Sequence, residues 1–446
     1  MQQTNRSRHR HITSFQVISL GFLSVILLGS LLLMLPIATK SGQCTSFLDA
    51  LFTATSAVCV TGLIINDTAT YWSLFGQGVI LLLIQIGGMG IITIAIAIAT
   101  VSGRKIGLMQ RSTMQEAISA PTVGGIVRRT QFIIRTTILI EIIGAALLAP
   151  VFCRDFGFWK GIWYSLFHSI SAFCNAGFDL MGEKEAFSSL TSYVDNPVVN
   201  LTIMLLIVIG GIGFMTWEDV KSNRWHIQKY RMQSKVVFTV TGILLGFPFL
   251  YFYFREFSHM TGMQRFWMAA FQTVTPRTAG FNTADLASMS EPGQLITILL
   301  MLIGGSPGST AGGMKTTTIA VLAASALAVF LQNEETHLFR RRVVEGAVRN
   351  AATILMMYFV LFFAGGIIIS SLEQLPVLPC LFETASALGT VGLTLGITTK
   401  LGLISRLLLI VFMFFGRVGG LTIIFAAISS GKKSKARLPR AKITVG

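Results

Sequence analysis

Charged side chains are scarce in this sequence of 446 residues. Asp, Glu, Lys and Arg supply only 12% of it, about half of their share in soluble domains, whereas hydrophobic residues supply 52%. This composition excludes a disordered chain and a soluble globular domain. The length leaves room for about eight membrane spans of roughly 20 residues each. We therefore expect a multi-pass membrane protein.

Cysteine is also rare, and two sequence patterns of enzymes are missing. The five cysteines form no CxxC pair, which argues against a disulfide framework, a zinc site and a thioredoxin-like site. No span contains HExxH or paired carboxylates, so we expect no enzyme such as an intramembrane protease or acyltransferase. The 35 basic residues outnumber the 19 acidic ones, but no polar basic domain concentrates them. Nucleic-acid binding is therefore not expected.

Eight long apolar stretches follow one another along the chain, in four pairs. They cover 14–36, 73–101, 131–152, 198–217, 234–254, 294–331, 351–371 and 403–430. One shorter apolar segment lies inside each pair, at 46–63, 161–178, 262–281 and 378–393. Segments too short to cross the membrane are typical of re-entrant half-helices. We expect an all-α integral membrane protein with eight spans and four half-helices.

The basic residues indicate the orientation of the chain. They fill the tail before the first span and the stretches 104–129, 221–235, 340–349 and 432–442, each of which follows an even number of spans. Lys and Arg collect in cytoplasmic connections. We expect both termini in the cytoplasm, with the half-helices entering the membrane from outside. The opposite connections are more acidic, and an acidic rim suits a cation.

The four short segments repeat one pattern. Phe52–Gly62, Phe167–Gly177 and Phe382–Gly392 share the same Phe-to-Gly spacing, and Phe271–Gly280 is shorter by one residue. Because this third copy is shorter, the sequence does not decide how its residues align with those of the other three copies. Each repeat is a whole span–half-helix–span module, far longer than solenoid repeats of about 20–50 residues. The predicted modules are 14–103, 104–220, 221–332 and 333–430, between basic tails at 1–13 and 431–446.

The glycine at the end of each segment has a physical role in this prediction. A half-helix that ends at mid-membrane turns its partly negative C-terminal end toward the pore, which favours a cation. Glycine allows the backbone angles with which successive carbonyl oxygens face one axis, and four copies around a pseudo-fourfold axis could replace the hydration shell of K⁺. The alternative is that the four glycines only allow close packing of the spans. The predicted filter, which holds K⁺ by its carbonyl groups, comprises Val60, Thr61, Gly62, Asn175, Ala176, Gly177, Thr278, Ala279, Gly280, Thr390, Val391 and Gly392.

The sixth span is interrupted by glycine, proline and polar residues. Broken helices occur at membrane depth only around cavities or inside protein. We expect an intramembrane gating loop under the filter, the alternative being a cytoplasmic loop between two shorter spans. Arg417 in the last span should face a cavity or a partner rather than lipid. It is either an electrostatic barrier in the cation pathway or a packing residue bonded to the carbonyls of a neighbouring span. The predicted gate comprises Gly304, Gly305, Ser306, Pro307, Gly308, Ser309, Thr310, Gly312, Gly313, Lys315 and Arg417.

Two further features leave alternatives open. Double glycines follow three of the short segments at 87–88, 210–211 and 304–305, with an altered form at 416–419. They indicate either a pore element or close packing of spans. Glu141 in the third span favours a structural role, with Arg135 as one candidate partner.

The modules, the four glycines, the stretch 277–283 (RTAGFNT) and the broken sixth span resemble the Trk/Ktr/HKT superfamily of potassium transporters along essentially the whole chain. The resemblance looks closest to the Ktr-type membrane subunit, since one span precedes the first half-helix. It implies potassium preference through Gly62, because sodium-selective plant relatives carry Ser there. It also implies a place in the inner membrane of a bacterial cell, a membrane homodimer, an octameric cytosolic ring of Rossmann-type subunits that bind ATP or ADP, and stimulation by Na⁺.

Two transport mechanisms fit these observations. A potassium channel or channel-like transporter explains every repeated feature. An ion-coupled carrier or symporter of a monovalent cation is the alternative, but such carriers typically show inverted repeats. All four modules run in the same direction here, which favours a channel.

Replacing Gly62 by Ser should weaken discrimination of K⁺ over Na⁺, because a side chain at this position alters the carbonyl geometry. Competition between Rb⁺ and Na⁺ during uptake measures this discrimination. Unchanged selectivity would argue against a filter role for Gly62.

Overall fold

Helices dominate the computed structural model, which describes residues 13–102, 107–118, 122 and 124–427. The predicted basic tails, apart from Thr13, and part of the basic stretch 104–129 lie outside the described residues. The helices are α1 (Ser14–Leu33), α2 (Phe47–Val58), α3 (Thr68–Tyr71), α4 (Leu74–Met89), α5 (Ile91–Val101), α6 (Leu108–Ala117), α7 (Ile126–Phe156), α8 (Phe158–Phe173), α9 (Pro197–Ile212), α10 (Phe214–Asn223), α11 (Met232–Tyr251), α12 (Gly262–Val274), α13 (Glu291–Leu302), α14 (Thr316–Phe330), α15 (Glu345–Glu373), α16 (Val377–Gly389), α17 (Leu403–Val418) and α18 (Gly420–Ala427). Strands β1 (His337–Leu338) and β2 (Arg341–Arg342) pair antiparallel in a short hairpin.

Side-chain caps start several of these helices. The Gln16 N–H donates to the Thr13 hydroxyl at 3.3 Å, and the Thr13 N–H donates to the Gln16 side chain at 3.0 Å, so α1 begins with a capping box. Ser46, Ser73 and Ser290 accept N–H groups at the starts of α2, α4 and α13. A cap of this kind stabilises a helix by about 1 kcal/mol.

The spans agree with the predicted apolar stretches. By length and composition, α1, α7, α15 and α11 with its π-helical extension Phe252–Glu256 can each cross a membrane unbroken. The pairs α4–α5, α9–α10 and α17–α18 each reach that length with a bend of 95°. Helices α13 and α14, which are each shorter, lie on either side of residues 303–315 and occupy the predicted sixth span. The predicted fold class is confirmed, with α2, α8, α12 and α16 as the half-helices.

Three of the breaks were not expected from the sequence, which indicated an interruption only in the sixth span. Gly90, Gly213 and Gly419 stand at the three bends with φ angles of 85°, 101° and 89°. These angles are open to glycine and strained for other residues. Each bend glycine lies three residues after the first glycine of the double-glycine motif or its altered form.

The first glycine of each of these motifs also holds a half-helix in place. A Cβ atom on it would overlap a carbonyl oxygen at the C-terminal end of the preceding half-helix, which makes close packing the function of this position. The three pairs are Gly87 with Val58, Gly210 with Phe173, and Gly416 with Leu388.

The outer surface of the spans suits a lipid environment. Helix α1 buries Ile18, Phe22 and Ile26 against the protein, whereas Leu28 and Leu31 are exposed. Large apolar side chains are likewise exposed along α7 and α15. Lipid tails solvate such side chains as well as a protein core does. The buried faces surround the half-helices, so the centre of the fold is the region where these four helices end.

Candidate functional site

The four half-helices end in one repeated backbone conformation. Two residues before each terminal glycine the chain enters the left-handed region, and the glycine itself has a positive φ. The φ angles are 50° and 89° for Val60 and Gly62, 58° and 70° for Asn175 and Gly177, 65° and 82° for Thr278 and Gly280, and 51° and 93° for Thr390 and Gly392. The third segment therefore shares the register of the others, which the sequence left open.

The four glycines form a closed ring, called the glycine ring below. A Cβ on Gly62 would lie 2.5 Å from the carbonyl oxygen of Ala176, and one on Gly177 would lie 2.7 Å from that of Ala279. A Cβ on Gly280 would overlap the carbonyl of Val391, and one on Gly392 would overlap that of Thr61, which returns to the first module. Each glycine thus packs on the carbonyl that precedes the next glycine. A Cβ atom at any of these four positions would force the neighbouring backbone to shift.

A hydroxyl group on each half-helix anchors the segment that follows. The N–H groups of Gly62 and Gly392 donate to the hydroxyls of Ser56 and Ser386, each at 3.0 Å. In the second and third modules the hydroxyl donates instead to the carbonyl of the residue after the glycine, from Ser171 to Phe178 (2.7 Å) and from Thr275 to Phe281.

Sequence reasoning missed these anchors, although their spacing carries a signal. The hydroxyl stands six residues before the glycine in three modules and five before it in the third. The residue missing from the third segment therefore lies between Thr275 and Thr278.

Residues 303–315, called the intramembrane loop below, contact the elements around the ring. The N–H of Ser306 donates to Gly211 (2.9 Å) at the α9–α10 bend, and the N–H of Gly313 donates to Gly416 (3.2 Å) on α17. The N–H of Phe214 donates back to the Gly308 carbonyl at 2.7 Å. A Cβ on Gly312 would overlap the hydroxyl of Thr390, so the loop lies directly against the fourth predicted filter segment.

Arg417 fastens the loop to the first module. Its guanidinium donates to the carbonyls of Thr310, Gly87 and Gly88, the last at 3.0 Å. Lys315 lies in the same region and donates to the carbonyls of Ala311 (2.8 Å) and Gly312 (3.2 Å). All five contacts are with carbonyl oxygens, so Arg417 faces protein partners rather than lipid.

Asn175 links the ring to the loop. Its amide group donates to the carbonyls of Arg277 (3.2 Å) and Ile207 (3.4 Å), and its side-chain oxygen accepts the Thr310 hydroxyl at 2.8 Å. Thr310 also donates to the carbonyl of Phe173, the last residue of α8. The second half-helix, the third segment and the loop are therefore joined at one buried side chain.

The other candidate polar residues have structural contacts or none. The buried hydroxyls of Thr61, Thr278 and Thr390 have no hydrogen-bond partner among the described residues. Ser306 stands in a GxSxG pattern but bonds the Thr316 hydroxyl at 3.1 Å, so it lacks the partner of a nucleophile.

Glu141 accepts the Gln85 amide at 3.1 Å and forms no ion pair with Arg135. The described residues hold no group of three or more His, Cys, Asp or Glu suited to a metal ion.

A cavity lies on either side of the ring. The mouth cavity, of about 300 Å³, is lined by Gly280, Gly392, Asn282, Phe187 and Thr398, among others. The bend cavity, of about 380 Å³, is lined by the loop, by Arg417 and by the α4–α5 and α17–α18 bends. Ring and loop therefore separate two cavities within the described residues.

Comparison with known proteins agrees with this architecture. The family profile of TrkH, described as cation transport protein, matches residues 2–436. The chain belongs to the TrkH family. Its members transport cations, so this chain is a membrane transport protein and not an enzyme.

Relatives of this TrkH-family protein match it from end to end. "Ktr system potassium uptake protein B" of Bacillus subtilis is 40% identical over 97% of this chain and 96% of its own length. "Potassium/sodium uptake protein NtpJ" of Enterococcus hirae is 38% identical over 98% of each. The crystal structure of the potassium transporter TrkH from Vibrio parahaemolyticus has a TM-score of 0.72 at 22% identity, covering 94% of this chain and 86% of that one. This structural likeness shows the same fold.

A connection beside the mouth of this TrkH-family protein holds two acidic groups close together. Asp67 is buried and accepts the N–H groups of Ala69 (3.0 Å) and Phe187 (3.0 Å). Asp179 accepts the N–H of Met181 at 2.9 Å. Burial, with a further contribution from the Asp67 carboxylate, raises the pKa of Asp179 to about 7. The folded protein therefore favours the protonated form of Asp179 more than the unfolded chain does.

Stability should fall as the pH rises through the titration of Asp179. Because the pKa in the folded state lies above the ordinary value of about 3.9, the loss begins near that value and is complete above about 7. Asp179→Asn keeps the acceptor for Met181 and cannot ionise. We expect its thermal transition to exceed that of the wild type at pH 8 and to match it at pH 4.

Asp285→Asn is the matched control, since Asp285 is exposed and accepts the N–H of Ala287, also two residues on. Thermal unfolding of purified protein across this pH range measures the effect. Equal transitions for wild type and Asp179→Asn at pH 8 would contradict the prediction.

Proposed function

We propose that this chain is the pore-forming subunit of a potassium uptake system in a bacterial cell membrane. The observation that carries the proposal is the glycine ring, which closes through all four modules between two cavities. The names of the relatives from Bacillus subtilis and Enterococcus hirae, which describe potassium uptake and potassium/sodium uptake, support the choice of ion. The division into modules at 103/104, 220/221 and 332/333 belongs to the same proposal.

The ring selects K⁺ by replacing its hydration shell with carbonyl oxygens. The carbonyls of Thr61, Ala176, Ala279 and Val391 stand next to the ring glycines. Carbonyl oxygens at the C-terminal ends of four helices give a negative potential without a fixed charge, so a monovalent cation enters and leaves quickly. The unpartnered hydroxyls of Thr61, Thr278 and Thr390 add oxygen donors beside this path.

The intramembrane loop closes the path between the ring and the bend cavity. Its contacts with the second and fourth modules and with Arg417 keep the loop under the ring. The guanidinium of Arg417 adds a positive charge at this constriction, which opposes the passage of a cation. Opening then requires the loop to leave its hydrogen-bond partners. A channel of this kind explains the parallel repeats better than an alternating-access carrier or symporter does.

Control of the gate comes from a second protein in this proposal. Two relatives are named as proteins B and D of a Ktr system, a name that supports a further component. The partner is a cytosolic, octameric ring of Rossmann-type subunits that bind ATP or ADP, and the membrane subunit forms a homodimer within the lipid. Both termini lie in the cytoplasm. Na⁺ acts as a modulator, in line with the potassium/sodium name of one relative.

Expression of this chain should rescue a bacterium that lacks potassium uptake, at limiting K⁺, and give saturable Rb⁺ flux in proteoliposomes. Gly392→Ala should abolish both, because the residue has a φ of 93° and a Cβ would overlap the carbonyl of Thr61. Gly78→Ala on α4 is the matched control, since a Cβ there meets nothing within 4 Å.

The measurement is repeated with and without a nucleotide-binding partner. Absence of rescue and of flux in both cases would overturn the proposed function. Wild-type flux in Gly392→Ala would instead show that the glycine ring does not line the transport pathway.

Shortening the segment Gly304–Gly313 should raise Rb⁺ flux in the absence of any partner, since fewer contacts then hold the loop under the ring. Deletion of Pro307–Ser309 removes the tip and keeps the anchoring glycines at both ends. Flux in proteoliposomes measures the effect. Adding Gly392→Ala to the deletion controls for leakage, because flux through the ring is lost in the double variant. Unaltered or lost transport in the deletion variant would contradict a gate at this loop.

A further inference from the structure

A carboxyl group without a counter-ion lies in the middle of the third span. Glu141 on α7 is 4% exposed. Its side chain contacts the Gln85 amide of α4 and the thiol of Cys174, which follows α8. None of the ion pairs in the described residues includes it. An isolated charge in such a place costs several kcal/mol.

The three side chains form a closed triangle of polar contacts. The Gln85 amide nitrogen lies 3.1 Å from one Glu141 oxygen, the Cys174 sulfur lies 3.6 Å from the Gln85 oxygen, and the same sulfur lies 3.9 Å from the other Glu141 oxygen. A protonated carboxyl donates to the sulfur, the thiol donates to the amide oxygen, and the amide donates back to the carboxyl. Each group then donates once and accepts once. An ionised carboxylate cannot close this cycle, because the single thiol hydrogen can serve only one of the two oxygens.

The triangle lies directly behind the second predicted filter segment. Cys174 precedes Asn175, which carries the contacts with Thr310 and the Arg277 carbonyl. The Ser169 hydroxyl on α8 donates to the Glu141 carbonyl at 2.6 Å, a second bond between α7 and the half-helix. Gly88 packs on the other side of Cys174, where a Cβ would lie 2.5 Å from the sulfur. Cys174 is thus held between the first and second modules.

We infer that Glu141 carries a proton in the working transporter and is a positioning residue that sets the place of Asn175 in the filter. The inference rests on the proposed potassium pathway for its functional consequence. The carboxyl group contacts Gln85 and Cys174 and acts on the filter through Cys174. It joins α4, α7 and the end of α8, so that one uncharged group fixes the second filter segment relative to the first module.

Few titratable or charged groups face Glu141. Gln85 faces it from α4, Ser169 and Cys174 face it from the α8 side, and α9 contributes the apolar Leu206 near Gly144, one turn along α7. Arg417 of α17 lies beyond Gly87 and Gly88, whose carbonyls its guanidinium contacts. Its guanidinium is bonded to carbonyl oxygens and not to the carboxyl group.

Two substitutions separate a protonated carboxyl group from a charged one. Glu141→Gln keeps one donor and one acceptor in the same shape and cannot ionise. We expect its KM for Rb⁺ and its discrimination of K⁺ over Na⁺ to stay within about twofold of the wild type from pH 6 to pH 8, a range in which other groups affect both proteins equally. Glu141→Leu has a similar volume and no hydrogen-bonding group, so we expect a KM roughly fivefold higher and weaker discrimination, the effect of about one lost hydrogen bond.

Transport by the wild type is measured beside the variants, so failure of the proposed function is separate from failure of this inference. If the wild type transports and Glu141→Gln loses affinity or changes the pH profile, a charge on Glu141 is needed and the inference is wrong. If Glu141→Leu keeps wild-type KM and selectivity, Glu141 does not position the filter. A lower maximal rate at unchanged KM and selectivity would indicate only impaired folding or insertion, which also counts against the inference.

A spectroscopic readout does not depend on transport. The infrared difference spectrum between wild type and Glu141→Gln at neutral pH should contain the carbonyl band of a protonated carboxylic acid. A carboxylate band in its place would overturn the inference even if the transport data agree. The single variants Cys174→Ser and Cys174→Val test the role of the thiol in the same way. Ser retains a hydroxyl group that can close the triangle, and Val does not.

Discussion

Every backbone carbonyl that a half-helix leaves at membrane depth needs a partner, because lipid offers none. Four half-helices end at one place here, so this requirement is concentrated at the centre of the fold. Glycine contacts at the helix ends, hydroxyl anchors, N–H groups of the intramembrane loop and the guanidinium of Arg417 together meet most of it. The carbonyls beside the glycine ring are the ones that the proposed pathway leaves for a cation.

The same constraint explains why glycine recurs at two levels in each module. At the ring, a side chain would crowd the carbonyl of the next module, so glycine lets the four chain segments close without a shift of the backbone. At the half-helix ends, the first glycine of the motif lets a span touch a carbonyl oxygen directly. Three residues later, Gly90, Gly213 and Gly419 turn the spans by 95° and so make room beneath the ring.

The third module departs from this scheme in two places that are close in space. Its segment lacks one residue between Thr275 and Thr278, and its second span has a loop where the other three modules have a bend. That loop forms hydrogen bonds with residues at the bends of other modules, where N–H and carbonyl groups are left unpaired because the helices break. The intramembrane loop, which only the third module contains, is therefore held in place by the repeated parts of the other modules. Asn175 connects this loop to the glycine ring.

Hydrophobic length, basic connections and the Phe-to-Gly repeat were sufficient to predict the fold class, the eight spans and the half-helices, because each of these signals is local in the sequence. The bends at Gly90, Gly213 and Gly419 were not predicted, since a continuous apolar run looks the same whether or not one glycine within it takes a positive φ. The closing of Gly392 on Thr61 joins the last module to the first, and the partners of Arg417 and Glu141 lie on distant helices. Such contacts depend on how the modules pack around one axis, and only the tertiary structure decides them.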